Sequence, residues 1–293
     1  MTKTRKAAYL ALLTTAVIWG FAPPIIKYSL NFIDAFDFLV YRFLLAGLLL
    51  LIPMIIAIKK HLPAFKKNFS TYLLLGLLGT PISLIISFHG IELTSAIDAS
   101  LISITAPIMI VLGGAFFLKE TITKREKTGL IIALFGTFLT LIQPLFETQA
   151  QGSIKGNLLV MTGTLLWCLF TLLTKKKQDL NPFILAGFSY LIGAVLFLPL
   201  FYLINQPAAN LMTFNPKALP GILFMAIPGS LIAFFTYLWG LKKIEASEAS
   251  IFTYLQPIFA VPLAIVLLKE TITLPFMVGA FFISLGVYIS ETR

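Results

Sequence analysis

The chain lacks most of what enzymes and secreted scaffolds are built from. It has one cysteine, Cys168, among 293 residues, so it can form neither a disulfide framework nor a cysteine metal cluster. His61 and His89 are its only histidines, which leaves a metal centre without a ligand set. No glycine-rich phosphate loop ending in Lys-Ser/Thr occurs, which argues against direct nucleotide-driven work by this chain. The HExxH and GxSxG patterns are missing, and no carboxylate pair falls inside an apolar run, so hydrolysis has nothing to rest on. Charge is scarce too: Asp, Glu, Lys and Arg make up 12% of the residues, where soluble chains carry about 25%. The sequence implies no cofactor.

Apolar mass takes the place of these groups. Hydrophobic residues make up 58% of the chain and the mean hydropathy is +0.95, which makes lipid the expected solvent. At about 20 residues per crossing, the apolar runs predict ten spans, at 7–28, 36–58, 71–91, 97–118, 127–146, 156–174, 182–204, 219–241, 247–268 and 274–290. The runs are continuous rather than alternating, so the fold class is an all-α integral membrane protein and not a strand barrel. The first run is too long for the core of a signal peptide. Pro23, Pro24 and Lys27 follow Gly20 where a small-residue cleavage site is wanted, so the run reads as a span.

A net charge of +10 could point to nucleic acid, but the basic residues sit in short clusters between the apolar runs, as membrane insertion uses them. With a cytoplasmic N-terminus, seventeen Lys and Arg fall inside. Lys27, Lys155, Lys217 and Lys269 fall outside and Arg42 lies within a span, accounting for all 22. This asymmetry predicts a multi-pass protein of the cytoplasmic membrane with both termini in the cytoplasm.

An internal repeat sets the organisation. GIELTSAIDASLISITAPIMIVLGGAFFLKETIT, from Gly90, aligns without gaps to GLKKIEASEASIFTYLQPIFAVPLAIVLLKETIT, from Gly240. Pro107 recurs as Pro257, and the pair Gly129 and Gly136 recurs as Gly279 and Gly286, all at an offset of 150. Upstream, Trp19 and Lys27 match Trp167 and Lys175 at an offset of 148. Five spans per half is an odd number, so residues 149–293 enter the membrane from the side opposite to residues 1–148. The two repeats are expected to be inverted.

Polar and aromatic residues inside spans are the candidates for function. Trp19 and Trp167 lie near mid-span, away from the interface tryptophan prefers; they border a midplane site, with helix packing as the competing role. Gln256 and its neighbours Thr253 and Tyr254 sit beside Pro257, which frees a carbonyl one turn earlier; interhelical bonding competes. Arg42 is a charge inside the second span, matched in the other half by Phe188, Ser189 or Tyr190 according to offset. Snorkelling to the headgroups is its competing role, the span being taken to begin near Asp37. His89, whose repeat mate is Trp239, is a further candidate, with interfacial anchoring the more favoured role. Asp98 and Glu248 open the fourth and ninth spans and suit the helix dipole, with Ser95 at capping spacing. Glu120 and Glu270 are expected to pair at the surface beside Lys119 and Lys269. The glycines of spans five and ten form a small-residue packing face.

AVIWGF, YRFLLAGLLLL, TSAIDASLISITAPIMIVLGGAFFLKETIT and the copy ending TYLQPIFAVPLAIVLLKETIT together resemble the EamA family of the drug/metabolite transporter superfamily, over nearly the whole chain. The resemblance implies a ten-helix bundle with a central cavity and alternating access. Spans 1, 3, 4, 6, 8 and 9 would surround the cavity, and spans 5 and 10 would pack outside it. Members move amino acids, other metabolites or drugs, and Arg42 matches an arginine of the family pattern. The related small multidrug carriers use a glutamate in their first helix, which has no counterpart here. The expected partners are a small-molecule solute and membrane lipids, with no nucleic acid. Trp19, Trp167, Tyr237 and Tyr254 suit an apolar or aromatic portion of the solute, Gln256 and Arg42 suit polar or anionic groups, and His89 and Thr253 complete the candidate substrate-binding set. A lipid flippase and, more remotely, an intramembrane enzyme are the competing functions.

Overall fold

The computed structural model describes residues 3–118, 124–145, 152–204, 211, 215–246, 249 and 251–291. Its regular structure is helical throughout, with no strand among the described residues. In lipid every backbone polar group must be satisfied within its own segment, and continuous apolar runs achieve this as helices. The long helices are α1 (Lys3–Ser29), α2 (Ala35–Lys60), α3 (Phe69–Leu93), α4 (Ala96–Ser103 and Ala106–Leu118), α5 (Lys124–Ile142), α6 (Ile154–Lys176), α7 (Pro182–Ile204), α8 (Pro216–Lys243), α9 (Ile251–Leu268) and α10 (Leu274–Glu291). Among the described residues, nine helices are long and apolar enough to cross a bilayer, and α10 contributes a shorter apolar stretch, Leu274–Gly286.

Proline and its surroundings set the irregularities. Pro81 and Pro228 lie in wide helical turns, Leu78–Ile82 in α3 and Met225–Ala233 in α8. Each removes a backbone donor, and nearby hydroxyls take up the loosened carbonyls. Thr80 Oγ1 donates to the Gly76 carbonyl at 3.2 Å, and Ser230 Oγ donates to that of Met225 at 2.7 Å. In α4 and α9 a new helical piece begins at the repeat mates Ala106 and Gln256, each one residue before its proline.

Charged side chains close the helix ends. Lys27 Nζ donates to the Ile91 and Glu92 carbonyls at 3.0 and 2.7 Å, closing the C-terminus of α3. Its repeat mate Lys175 does the same for α8, donating to Leu241 and Ile244 at 3.0 and 2.5 Å. A cation near a helix C-terminus meets both the unpaired carbonyls and the negative end of the dipole. Ser95 caps α4, accepting from the Asp98 amide at 2.9 Å as the spacing implied. Glu248 and Glu120 lie outside the described residues. Glu270 departs from its expected surface pairing: it is buried, and its two carboxylate oxygens accept from the Ala96 and Ile97 amides at 2.7 and 2.9 Å. The Ala96 and Ile97 amides, which have no partner within the helix, are stronger partners for a carboxylate than a solvated lysine.

These contacts sort the connections onto two faces. On one face, the end of α1, the α3–α4 turn, the start of α6 and the α9–α10 turn meet through Lys27, Glu270 and Ser153, whose hydroxyl donates to the Leu93 carbonyl. On the other, Asn68 after α2 donates to Asp179 after α6 at 2.7 Å, and Lys242 of α8 donates to the Leu180 carbonyl. Helices α5 and α10 pack on each other so closely that a Cβ on Gly136 would sit 2.7 Å from the Ile283 backbone nitrogen. Small residues are what permit that approach.

Candidate functional site

A cavity with about 190 Å³ of space for the centres of water-sized molecules lies between the helices of both halves. Thr15 and Trp19 of α1, Thr80, Ser83 and Phe88 of α3, Ser103 of α4, Thr164 and Trp167 of α6, Phe234 and Tyr237 of α8 and Gln256 of α9 line it. Helices α5 and α10 contribute no described lining residue. Arg42 of α2 and Tyr190 of α7 also line it, beyond the six helices expected.

Its aromatic wall forms where the repeat brings matching residues together. The rings of Trp19 and Trp167, repeat mates, meet edge to face at 5.3 Å and 84°. Tyr237 lies 5.3 Å from the first and 5.2 Å from the second, and Phe234 packs on both. Trp19 Nε1 donates to the Gly229 carbonyl at 3.0 Å, in the wide turn of α8, and the Tyr237 hydroxyl pairs with Thr171 at 2.7 Å. Buried indole N–H and phenol O–H groups need such partners, and Trp19 and Tyr237 line the cavity with theirs satisfied. Packing and lining are therefore the same arrangement for both tryptophans.

Arg42 is set against Tyr190, one of the three residues that the offsets offer as its counterpart. The helix cap is Asp34 rather than a residue near Asp37, so Arg42 is the eighth residue of α2, about 12 Å along the axis. Its side chain is 3% exposed, which excludes snorkelling to the headgroups. Nε donates to Ser230 Oγ at 3.0 Å, and Nη2 to the hydroxyl of Tyr190, at an offset of 148, at 3.3 Å. The guanidinium carbon lies 5.6 Å from the Phe88 ring centre and 5.8 Å from that of Tyr190, within reach of their negative faces. Nη1 has no hydrogen-bond partner among the described residues.

The other candidates divide. Thr253 and Gln256 line the cavity with Trp19, Trp167, Tyr237 and Arg42. His89 does not: its side chain is 49% exposed and Nδ1 pairs with Glu92 at 3.1 Å. Tyr254 is not among the lining residues either, and packs with Val261 and Leu268 against a small cluster around Ile97 and Ile283. About a third of a helical turn separates the direction of Tyr254 from that of Thr253, which sets adjacent residues on different faces. Ser230, Tyr190 and Phe88 were missed. Tyr190 was within reach through the 148 offset, and Ser230 through its place after a mid-span proline; nothing in the sequence marks Phe88. No group of three or more metal-ligating side chains occurs among the described residues.

Comparison with known proteins bears on the fold and the family. A solved crystal structure superposes with a TM-score of 0.68 at 19% identity, covering 98% of this chain and 96% of the other, and so shares the fold. A protein of Archaeoglobus fulgidus named an uncharacterized transporter is 26% identical over 97% of each chain. The uncharacterized transporter YyaM of Bacillus subtilis is 27% identical over 95% of this chain and 92% of its own. The profile of the EamA-like transporter family matches twice, over residues 6–142 and 154–292. With its apolar helices, its central cavity and a family match in each half, this multi-pass membrane protein belongs to the EamA-like transporter family.

Proposed function

We propose that the chain is a carrier, secondary active or facilitative, that moves a small metabolite across the cytoplasmic membrane by alternating access. The solute is an amino acid or a compound of similar size with an apolar or aromatic portion. The halves 1–148 and 149–293 are inverted repeats, with both termini in the cytoplasm. The observation that carries this reading is the contact of the repeat mates Trp19 and Trp167 at the cavity. Mates meet only near an axis relating their halves, and a site on such an axis can be exposed to either side by rocking one half against the other. The two-faced sorting of the connections agrees with inversion. The cavity is walled by rings and hydroxyls rather than by apposed titratable groups, which suits binding and release more than chemistry.

Reconstitution tests this reading. Vesicles containing the purified protein should take up a solute found by thermal-shift screening, where a ligand at about 100 times its dissociation constant adds about 2.7 kcal/mol of stability. Trp19→Ala and Trp167→Ala should each reduce uptake at unchanged expression and insertion. Uptake by both variants at the wild-type rate would remove the tryptophans from the path. Wild-type vesicles indistinguishable from empty ones for every binding solute would overturn the carrier reading.

A further inference from the structure

We infer that the cavity takes an organic monoanion whose carboxylate seats on Arg42. The inference rests on the carrier reading and narrows its solute. Three observations carry it. First, Arg42 is 3% exposed and hydrogen-bonded only to neutral hydroxyls, at Ser230 and Tyr190. Second, Nη1 is left without a partner among the described residues, while Arg42 lines the cavity. Third, no Asp, Glu or His is among the described lining residues, so Arg42 is the one charge in that lining.

A guanidinium keeps its proton under any ordinary condition, so the site holds a fixed positive charge in surroundings of low dielectric. The rings of Phe88 and Tyr190 offset part of the cost through their faces, but ring quadrupoles and hydroxyls do not neutralise an ion. A carboxylate does, and its two oxygens match the fork of the guanidinium, whose buried Nη1 lacks a partner among the described residues. An amide brings the same shape without the charge, and an amine adds a second positive charge. A zwitterion places its carboxylate equally well but leaves the site with its net charge. The oxygens of Ser83 and Thr164, whose hydrogens go to the Gly79 and Val160 carbonyls, can accept from an ammonium only as neutral groups. The rest of the solute then lies toward Trp19, Trp167 and Tyr237, so the ligand class is an aryl or branched alkyl carboxylate.

Binding to the purified full chain, read by tryptophan fluorescence, tests the inference with two matched series. One is hydrocinnamate, its amide, phenylalanine and phenethylamine; the other is isocaproate, its amide, leucine and isoamylamine. In at least one series the acid should bind at least about tenfold more tightly than the other three members, the size of one charge-assisted contact. Arg42→Gln should erase the preference, and Arg42→Lys, which keeps the charge without the fork, should retain part of it. The wild-type ligand order needs no variant to fold. Amide, zwitterion or amine binding as tightly as the acid in both series, or no acid binding in either, would overturn the inference. The carrier reading fails separately, when the acid binds but no bound solute enters reconstituted vesicles.

Discussion

Replacing Glu270 should loosen the joint between α9 and α4 by an amount that can be worked from the contacts. The carboxylate holds two amides at the start of α4, at 2.7 and 2.9 Å, with 8% of the residue exposed. Losing a helix N-cap costs about 0.5 to 2 kcal/mol. Removing the negative charge from the positive end of the dipole adds about 0.3 to 1 kcal/mol. Leaving a buried donor unpaired adds about 1 to 3 kcal/mol. These ranges overlap in what they count, so Glu270→Ala is expected to lose about 2 to 4 kcal/mol, and Glu270→Gln, which keeps one carbonyl acceptor, about half as much. The turn that delivers Glu270 puts Lys269 at φ 59 and ψ 24, in the left-handed region that favours glycine. Lys269→Gly should therefore be neutral or gain up to about 1 kcal/mol. Thermal unfolding read by a thiol-reactive dye suits the measurement, because the chain's only cysteine, Cys168, is 3% exposed and reacts when the bundle opens. A Glu270→Ala protein melting within about one degree of wild type would refute the capping argument.

Spans were legible because crossing a bilayer demands a long uninterrupted apolar run, and the repeat was legible because identical offsets recur along the chain. The glycine face of α5 and α10 could be read for the same reason, since close backbone approach leaves glycine at fixed spacing. Depth and direction were harder. Counting from Asp37 put Arg42 within reach of the headgroups, but the cap one turn earlier and the cover provided by Ser230 and Tyr190 bury it; those residues lie 188 and 148 positions away. Glu270 looked like a surface partner because its neighbour is Lys269, whereas the amides it caps lie 174 and 173 positions away. Backbone donors carry no mark in a sequence, so a side chain that serves them is easily assigned to the nearest opposite charge. The repeat could still have corrected part of this: had the 148 offset been preferred over its neighbours, Tyr190 would have paired with Arg42 before any coordinates.

Two further outcomes follow from the packing and the faces. Gly136→Leu should destabilise the α5–α10 pair by about 1 to 3 kcal/mol, because its Cβ would meet the Ile283 backbone nitrogen rather than a movable side chain. Solute affinity in that variant should stay near wild type, since neither helix lines the cavity; a large loss of affinity at unchanged melting temperature would contradict the division between wall and support. The topology is tested by single cysteines in a Cys168→Ser background. Asn68 lies on the same face as Asp179, to which it is bonded, and Lys176 is exposed near that face, so the two must share one side of the membrane whichever way the molecule inserts. The excess of Lys and Arg predicts that this side is the cytoplasm. Asn210, outside the described residues, falls in the connection between α7 and α8, one crossing away from Lys176. An impermeant thiol reagent applied to intact cells should label a cysteine at Asn210 and spare those at Asn68 and Lys176. The reversed pattern would overturn the orientation alone. Labelling that separates Asn68 from Lys176 would break the shared face and, with it, the proposed inversion of the two halves.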